Sequence, residues 1–177
     1  PLDDRVGQRG RRLEKPRTSY RFIPPMAHVP RVKSPSLADG NWLLKADVEI
    51  SSGQTEGVIF AQGSFLNGIS LYVRNGFLAF VYTVMDKPST WISKDLLPIG
   101  RFTVDLLFQK QNADSGVFLL KVQDKEIASF VISDTTHMSS MRGADVGRDL
   151  DAPVTDLYNA PFDFTGIIHS VLIKLEL

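Results

Sequence analysis

The 177-residue sequence contains no cysteine, and this absence excludes several kinds of site. There is no disulfide framework, no thiolate ligand for a metal and no cysteine nucleophile. The three histidines, at positions 28, 137 and 169, are far apart and form no ligand-spaced cluster. No serine lies in a nucleophile-elbow motif. The sequence therefore gives no positive sign of an active site, and an enzyme with convergent carboxylates in a pocket is the least favoured of the interpretations.

The chain also lacks a long apolar run, although 43% of its residues are hydrophobic. A helix that spans a bilayer needs about 20 consecutive apolar residues. The longest apolar runs here are far shorter, so we expect a soluble domain with no membrane partner. Because the chain begins with Pro1 rather than methionine, we expect it to be a processed product or an excised part of a longer protein.

The zero net charge conceals two regions of opposite sign. Residues 1–35 carry nine Lys and Arg against three Asp and Glu, whereas residues 36–177 carry eleven against seventeen. Six prolines among residues 1–40 remove backbone donors and fix φ, which favours an extended segment over a helix. The basic residues alternate with proline and apolar residues, whereas phosphate-binding regions are more densely basic. We predict that residues 1–40 form a basic connector packed on acidic protein, with no nucleic-acid partner.

Residues 69–84 predict a β-hairpin. Aliphatic residues alternate with polar or aromatic ones from Ile69 to Arg74. This two-residue period is typical of a half-buried strand. Asn75-Gly76 follows, and this pair tolerates the positive φ angles of a two-residue type I′ turn. The chain then returns through Phe77–Val84. The implied register places one apolar layer inward: Ile69, Leu71, Val73, Leu78, Phe80 and Tyr82.

The rest of the chain also shows strand patterns separated by turn signals, and no convincing amphipathic helix. Two antiparallel sheets, each hiding one apolar face, are the natural solution for such a pattern. We therefore predict an all-β protein, an antiparallel β-sandwich of the jelly-roll or concanavalin A-like kind over residues 41–177, with an extended N-terminal arm. Further strands are expected near 42–50, 57–61, 91–93, 102–108, 117–123, 126–133, 144–147 and 167–177.

Three aspartates, Asp145, Asp149 and Asp151, lie close together in the segment GADVGRDLDAP. Hard oxygen ligands at such spacing can hold Ca²⁺. The segment lacks the regular acidic loop that ends in a bidentate glutamate, and Arg148 within it is expected to pair with one of the carboxylates. A structural polar loop is the favoured interpretation, with calcium as the alternative.

Aromatic residues offer one candidate ligand surface. Tyr72 and Phe77 should point away from the inward layer of the hairpin, and Trp91 lies on a strand flanked by loops. Flat rings in a shallow groove can stack on sugars, so these three residues are candidates for glycan binding. The favoured alternative is that the rings pack under the proline-rich arm or against a neighbouring domain, because outward apolar groups commonly mark protein contacts.

An ordered set of segments resembles the C-terminal region of bacterial-type arylsulfatases of the alkaline-phosphatase-like superfamily. The order and spacing agree over essentially the whole chain. The chain departs from the usual pattern at Ile23-Pro24-Pro25-Met26, where Tyr-Pro-Gly-Met is common, and at Gly63-Ser64, where two glycines are frequent. The matching segments are PLDDR (1–5), RTSYRFIPPM (17–26), ADVEI (46–50), EGVIFAQGSFLNGISLYVRNG (56–76), ADVGRDLDAPVTDLY (144–158) and FDFTGIIHSVLIKLEL (162–177).

The resemblance implies where this domain would lie in a larger enzyme, and it assigns no catalytic chemistry to the domain itself. Such sulfatases hydrolyse sulfate esters with a formylglycine made in a C/S-x-P-x-R motif, beside a divalent cation. This chain contains no such motif. The resemblance thus implies that the catalytic domain lies upstream of Pro1, and that this chain holds no catalytic residue and no cofactor of its own.

We therefore expect a non-catalytic accessory domain that packs on the upstream sulfatase catalytic domain. It would shape substrate access or build a homo-oligomer interface, in the bacterial cytoplasm or periplasm. The alternative from another class is a stand-alone, lectin-like glycan-binding module, which predicts an accessible groove lined by aromatic side chains.

Overall fold

The computed structural model describes residues 17–135, 142–150 and 152–175, and within them the fold is almost entirely β-structure. A single 3₁₀ turn, Arg31–Lys33, interrupts the strands. None of the described residues belongs to a helix that is long and apolar enough to cross a membrane. The strands are β1 (Ser19–Phe22), β2 (Trp42–Ile50), β3 (Gly57–Gly63), β4 (Asn67–Arg74), β5 (Phe77–Val84), β6 (Lys87–Leu96), β7 (Gly100–Lys110), β8 (Gly116–Val122), β9 (Lys125–Ile132), β10 (Ala144–Val146) and β11 (Ile167–Leu175).

Two antiparallel sheets face each other across one apolar core. The first has the strand order β1-β11-β2-β7-β8-β9, and the second has the order β10-β3-β4-β5-β6. Alternate residues of β2 point into the core, from Trp42 to Ile50, because side chains on a strand alternate between faces. Aromatic rings fill the centre, with Phe118 4.8 Å from Phe80 and 5.0 Å from Phe108 between ring centroids. The predicted all-β antiparallel sandwich is confirmed.

The predicted hairpin is present with its predicted register. Val73 pairs with Leu78, and Leu71 pairs with Phe80. Asn75 and Gly76 have φ angles of 50° and 78°, as a type I′ turn requires. The six residues of the predicted inward layer all belong to the main core.

Two turns differ from the expected ones. β6 begins at Lys87 rather than near Trp91, because Met85 and Asp86 adopt positive φ angles and form a two-residue turn. Neither residue is a glycine or an asparagine, so the usual sequence signal was missing. The later hairpin turns at Gln123-Asp124, one residue before the expected position.

The described part of the N-terminal arm belongs to the sandwich. β1 pairs with β11 at the edge of the first sheet, and Val29 exchanges two backbone hydrogen bonds of 2.9 Å with Ala144. Leu37 is buried, and its carbonyl accepts the Trp42 indole proton at 3.0 Å. The sequence placed residues 1–40 in a connector, but from Ser19 onward this segment contributes a strand and core side chains. Residues 1–16 lie outside the described residues.

A long irregular segment, described at residues 148–150 and 152–164, covers the outer face of the second sheet; we call it the cover segment. Its backbone is tied to β3 by a hydrogen bond of 3.0 Å from Val58 N to the Phe162 carbonyl. Arg74 of β4 also donates to the Leu157 carbonyl. A second apolar cluster forms between this segment and the sheet. It comprises Val58, Ala61, Tyr72, Ala79, Val81, Val154, Tyr158 and Phe162.

Candidate functional site

The three aromatic candidates do not form a common platform. Tyr72 and Phe77 lie on the outer face of the second sheet, whereas Trp91 pairs with Phe80 and shares its inner face. Tyr72 is only 1% exposed, because the ring of Tyr158 packs against it at 5.0 Å. The expectation that Tyr72 points away from the core layer is met, but the cover segment removes it from the surface. Phe77 is half-buried.

The two candidate calcium ligands that the structure describes, Asp145 and Asp149, are engaged with protein groups. Asp145 accepts hydrogen bonds from the Leu150 amide at 3.2 Å and contacts His28 Nδ1 at 3.0 Å. Arg148 pairs at 3.3 Å with Asp163, an aspartate outside the candidate set. Asp151 lies outside the described residues. Among the residues that the structure describes, no three His, Cys, Asp or Glu side chains group as metal ligands.

Asp149 fastens the cover segment. Its Oδ2 accepts the Tyr158 hydroxyl proton at 2.6 Å and the Val154 amide proton at 3.0 Å. The side chain is 2% exposed, and this burial raises the pKa of Asp149 to about 6, against the opposing effect of the two hydrogen bonds. Burial also raises the pKa of Tyr158 above its ordinary value. These two hydrogen bonds occupy Oδ2 and give Asp149 a structural role in holding the loop.

An open cleft lies at one lateral edge of the sandwich, between β6 of one sheet and β9 of the other; we call it the edge cleft. Its volume is about 650 Å³, and Gln123 of the turn between β8 and β9 is among its lining residues. Trp91 lines it while packing against the core. The remaining lining residues are Ser93, Lys94, Asp95, Leu96, Leu97, Pro98, Val122, Gln123, Lys125, Glu126 and Ile127.

A β-bulge shapes one wall of this cleft. The pairing of β5 with β6 shifts between Phe77 and Ala79, opposite Ser93 to Asp95. Ser93 Oγ stabilises the bulge, because it accepts a proton from the Leu78 amide at 3.0 Å and donates to the Asp95 carbonyl at 2.8 Å. Bulges redirect side chains out of the regular alternation. Here the displaced stretch brings Lys94 and Asp95 into the lining beside Trp91.

The charges of the edge cleft balance. Lys94 and Asp95 come from β6, and Lys125 and Glu126 come from β9, so each wall contributes one cation and one anion. Such a lining offers both donors and acceptors of hydrogen bonds around an indole ring. It has no net charge that would select an ionic ligand.

Sequence patterns indicated Trp91 but not its polar neighbours. Lys94 and Asp95 belong to a bulge, and a bulge is set by the pairing of two strands rather than by either strand alone. Lys125 and Glu126 follow a turn that the sequence placed one residue too late. Ser93 is the one local signal of the bulge, because a serine hydroxyl can replace a missing backbone partner.

Comparison with known proteins identifies the fold but no family. No family model matches the chain, and no curated protein matches it. A galectin from Caenorhabditis elegans, LEC-6, superimposes with a TM-score of 0.55 and 11% identity over 87% of this chain and 95% of the galectin. Domains LG4-5 of the mouse laminin α1 chain give a TM-score of 0.52 and 15% identity over 88% of this chain.

Botulinum neurotoxin type C, which depends on interaction with two ganglioside molecules to enter cells, gives a TM-score of 0.52 and 13% identity over 78% of this chain. The alignment spans 33% of the toxin chain and 38% of the laminin chain. At these identities the likeness concerns the fold alone. It confirms the predicted jelly-roll class of sandwich.

Proposed function

We propose that this domain is a non-catalytic, lectin-like module that binds a glycan in the edge cleft. One observation carries the proposal: the half-buried Trp91 lines the cleft together with positively and negatively charged side chains. A sugar ring presents an apolar face to an aromatic ring and hydroxyl groups to polar neighbours. Ligand sites commonly have volumes of about 300–1,000 Å³ with a few placed polar groups, and the cleft fits that description.

The lining favours a neutral glycan. Two cations and two anions line the cleft together with Trp91, so hydroxyl groups of a ligand can both donate to Asp95 and Glu126 and accept from Lys94 and Lys125. Two of the similar folds support the general class, since one is a galectin and another belongs to a toxin that depends on gangliosides. Their sequences are too distant to indicate which sugar would bind here.

A panel of neutral, sulfated and uronic-acid polysaccharides tests the proposal. The purified protein should bind at least one neutral polysaccharide saturably, and Trp91→Ala should weaken that binding by about tenfold or more, as expected for the loss of a central aromatic contact. Phe65→Ala is the control, because Phe65 is an exposed aromatic between β3 and β4 that does not line the cleft. Equal binding by both variants, or no binding at all, would reject the edge cleft as a glycan site.

A second candidate is the accessory domain of an arylsulfatase, which the resemblance implies. It rests on the resemblance alone. The resembling segments 56–76 and 144–158 meet in one buried network of this chain, in which the Tyr158 hydroxyl lies between Ser70 at 2.7 Å and Asp149 at 2.6 Å. This proposal predicts a C/S-x-P-x-R motif in the polypeptide upstream of Pro1, and measurable affinity for that upstream part. Absence of the motif would refute it.

A further inference from the structure

The lining of the edge cleft has an apolar bottom that is continuous with the core. Leu97 belongs to the main core, and the half-buried side chains of Trp91, Val122 and Ile127 pack against that core. These residues and the half-buried Pro98 all line the cleft. We call the five residues the apolar floor. It is the margin of the core that stays uncovered where β6 and β9, the edge strands of the two sheets, part from each other.

The charged and amide side chains of the lining lie above this floor, at the solvent-exposed rim of the cleft. The only half-buried polar side chain of the lining is Ser93, and the bulge in β6 engages its hydroxyl. Ser93 Oγ accepts a proton from the Leu78 amide and donates its own to the Asp95 carbonyl. The exposed polar lining residues are Lys94, Asp95, Gln123, Lys125 and Glu126.

Ile127 reaches the floor through a second bulge, in β9. Leu120 of β8 pairs with Ala128, and the next residue, Lys121, pairs with Glu126. Ile127 is therefore an extra residue with no partner on β8. An extra residue interrupts the alternation of a strand and redirects its side chain. Each wall of the cleft thus contains a bulge, and the bulge in β9 contributes an aliphatic side chain to the floor.

An unsubstituted sugar ring would leave part of this floor without a complementary partner. The ring can stack on Trp91, but a hydroxyl group placed over Val122 or Ile127 would lose its water and gain no side-chain hydrogen bond. An acetyl group fits the same place better. Its methyl group can contact the aliphatic side chains, while its carbonyl oxygen can accept a proton from a lysine at the rim.

We propose that the edge cleft selects a glycan that carries acetyl groups, with the acetyl methyl group on Val122 and Ile127 beside a sugar ring on Trp91. This proposal rests on the proposed function and specifies the class of glycan. An acetyl group has the same methyl and carbonyl groups whether an ester oxygen or an amide nitrogen links it to the sugar. Both sources are therefore included in the test.

Two matched pairs of neutral oligosaccharides test this selectivity by calorimetric titration of the whole chain. The first pair is an O-acetylated xylo-oligosaccharide and the same material after alkaline deacetylation. The second pair is chitohexaose and cellohexaose, which differ by an acetamido group in place of a hydroxyl. In at least one pair the acetylated member should bind at least about fourfold more tightly, the factor that burial of one methyl-sized group contributes.

Ile127→Thr should reduce this preference to less than about twofold, because it removes the terminal methyl group and places a hydroxyl in the floor. It should leave the affinity for the unacetylated member nearly unchanged. Ile92→Thr is the matched control, because Ile92 adjoins Trp91 on β6, is 55% exposed and does not line the cleft. This variant should retain the full preference. Thermal unfolding of both variants verifies that the fold is intact.

The outcomes separate this proposal from the glycan site itself. Equal affinity for both members of each pair, or binding of unacetylated glycans only, would overturn the acetyl selectivity and leave the glycan site standing. An equal loss of preference in Ile92→Thr and Ile127→Thr would also overturn it. If the natural chain bound neither these oligosaccharides nor any neutral polysaccharide, both the glycan site and its selectivity would be rejected.

Discussion

Tyr158 donates its hydroxyl proton to Asp149 across 2.6 Å, and both residues of the cover segment are buried against the second sheet. The same hydroxyl oxygen lies 2.7 Å from Ser70 Oγ on β4, which can donate to it. The network therefore links the cover segment to the second sheet through side chains as well as backbone. Tyr72 is buried because this link holds the cover segment in place.

Asp149 should make the stability of the domain depend on pH. Burial raises its folded-state pKa to about 6, from 3.8. The folded state thus binds the proton more tightly than the unfolded state. Protonation of Asp149 therefore stabilises the folded state below about pH 4, and this stabilisation is lost as pH rises to about 6. The difference of about two pKa units corresponds to roughly 3 kcal/mol. Asp149→Asn should remove this decrease in the free energy of unfolding with rising pH, since the amide does not ionise and its oxygen can still accept both hydrogen bonds.

Urea unfolding from pH 4 to pH 7.5 measures this effect as a difference between variants. The difference isolates Asp149 from other groups such as Asp105, whose pKa burial also raises. Asp163→Asn is the control, because Asp163 is an exposed carboxylate on the same segment. Parallel stability profiles for the natural chain and Asp149→Asn would show that Asp149 does not carry the pH dependence.

Tyr158→Phe should destabilise the domain through the lost hydroxyl alone. The ring contacts with Tyr72 and Phe162 remain, but Asp149 and Ser70 lose a buried hydrogen-bond partner. The expected cost is about 1–3 kcal/mol in the free energy of unfolding. Tyr20→Phe, at a half-buried tyrosine outside this network, should change stability by less than about 0.5 kcal/mol. Equal effects of the two substitutions would contradict the role given to the hydroxyl.

Gly57→Ala should disturb the junction between β3 and the end of the cover segment. Gly57 has a φ angle of 114°, and a Cβ there would collide with the Asp163 carbonyl oxygen and Phe164 Cα. We expect a loss of at least about 2 kcal/mol in thermal or urea unfolding, because both the backbone conformation and the space exclude a side chain. Gly53→Ala has nothing within 4 Å of the added Cβ and should be nearly neutral. A neutral Gly57→Ala would contradict the close packing.

Local sequence patterns predicted the parts of the fold that local chemistry determines. Asn75-Gly76 gave the turn and register of the central hairpin, because few residue pairs adopt two positive φ angles easily. Met85-Asp86 adopts similar angles without that signal, so the start of β6 was missed. In that turn, Asn67 Oδ1 accepts the Met85 amide proton at 3.0 Å, a contact that arises only when β4 and β5 are paired.

The candidate site depended on relationships that the sequence does not display. Tyr72 was correctly placed on the outer face of its strand, but its burial requires a segment more than 80 residues further along the chain. Trp91 was named as an aromatic candidate, but its polar neighbours come from two sheets that meet only in the folded molecule. The alternation along one strand predicts which face of the sheet a side chain occupies. It does not predict which other segment of the chain packs over that face.

The central claim, that the edge cleft binds a glycan through Trp91, is tested most directly by fluorescence titration with the neutral polysaccharides of the panel. The chain has two tryptophans, and Trp42 is 0% exposed in the core, so a ligand in the cleft should alter the emission of Trp91 only. We predict a saturable change in the natural chain that Trp91→Phe abolishes and Phe65→Ala retains. A saturable change that persists in Trp91→Phe, or no change with any neutral polysaccharide, would contradict the claim.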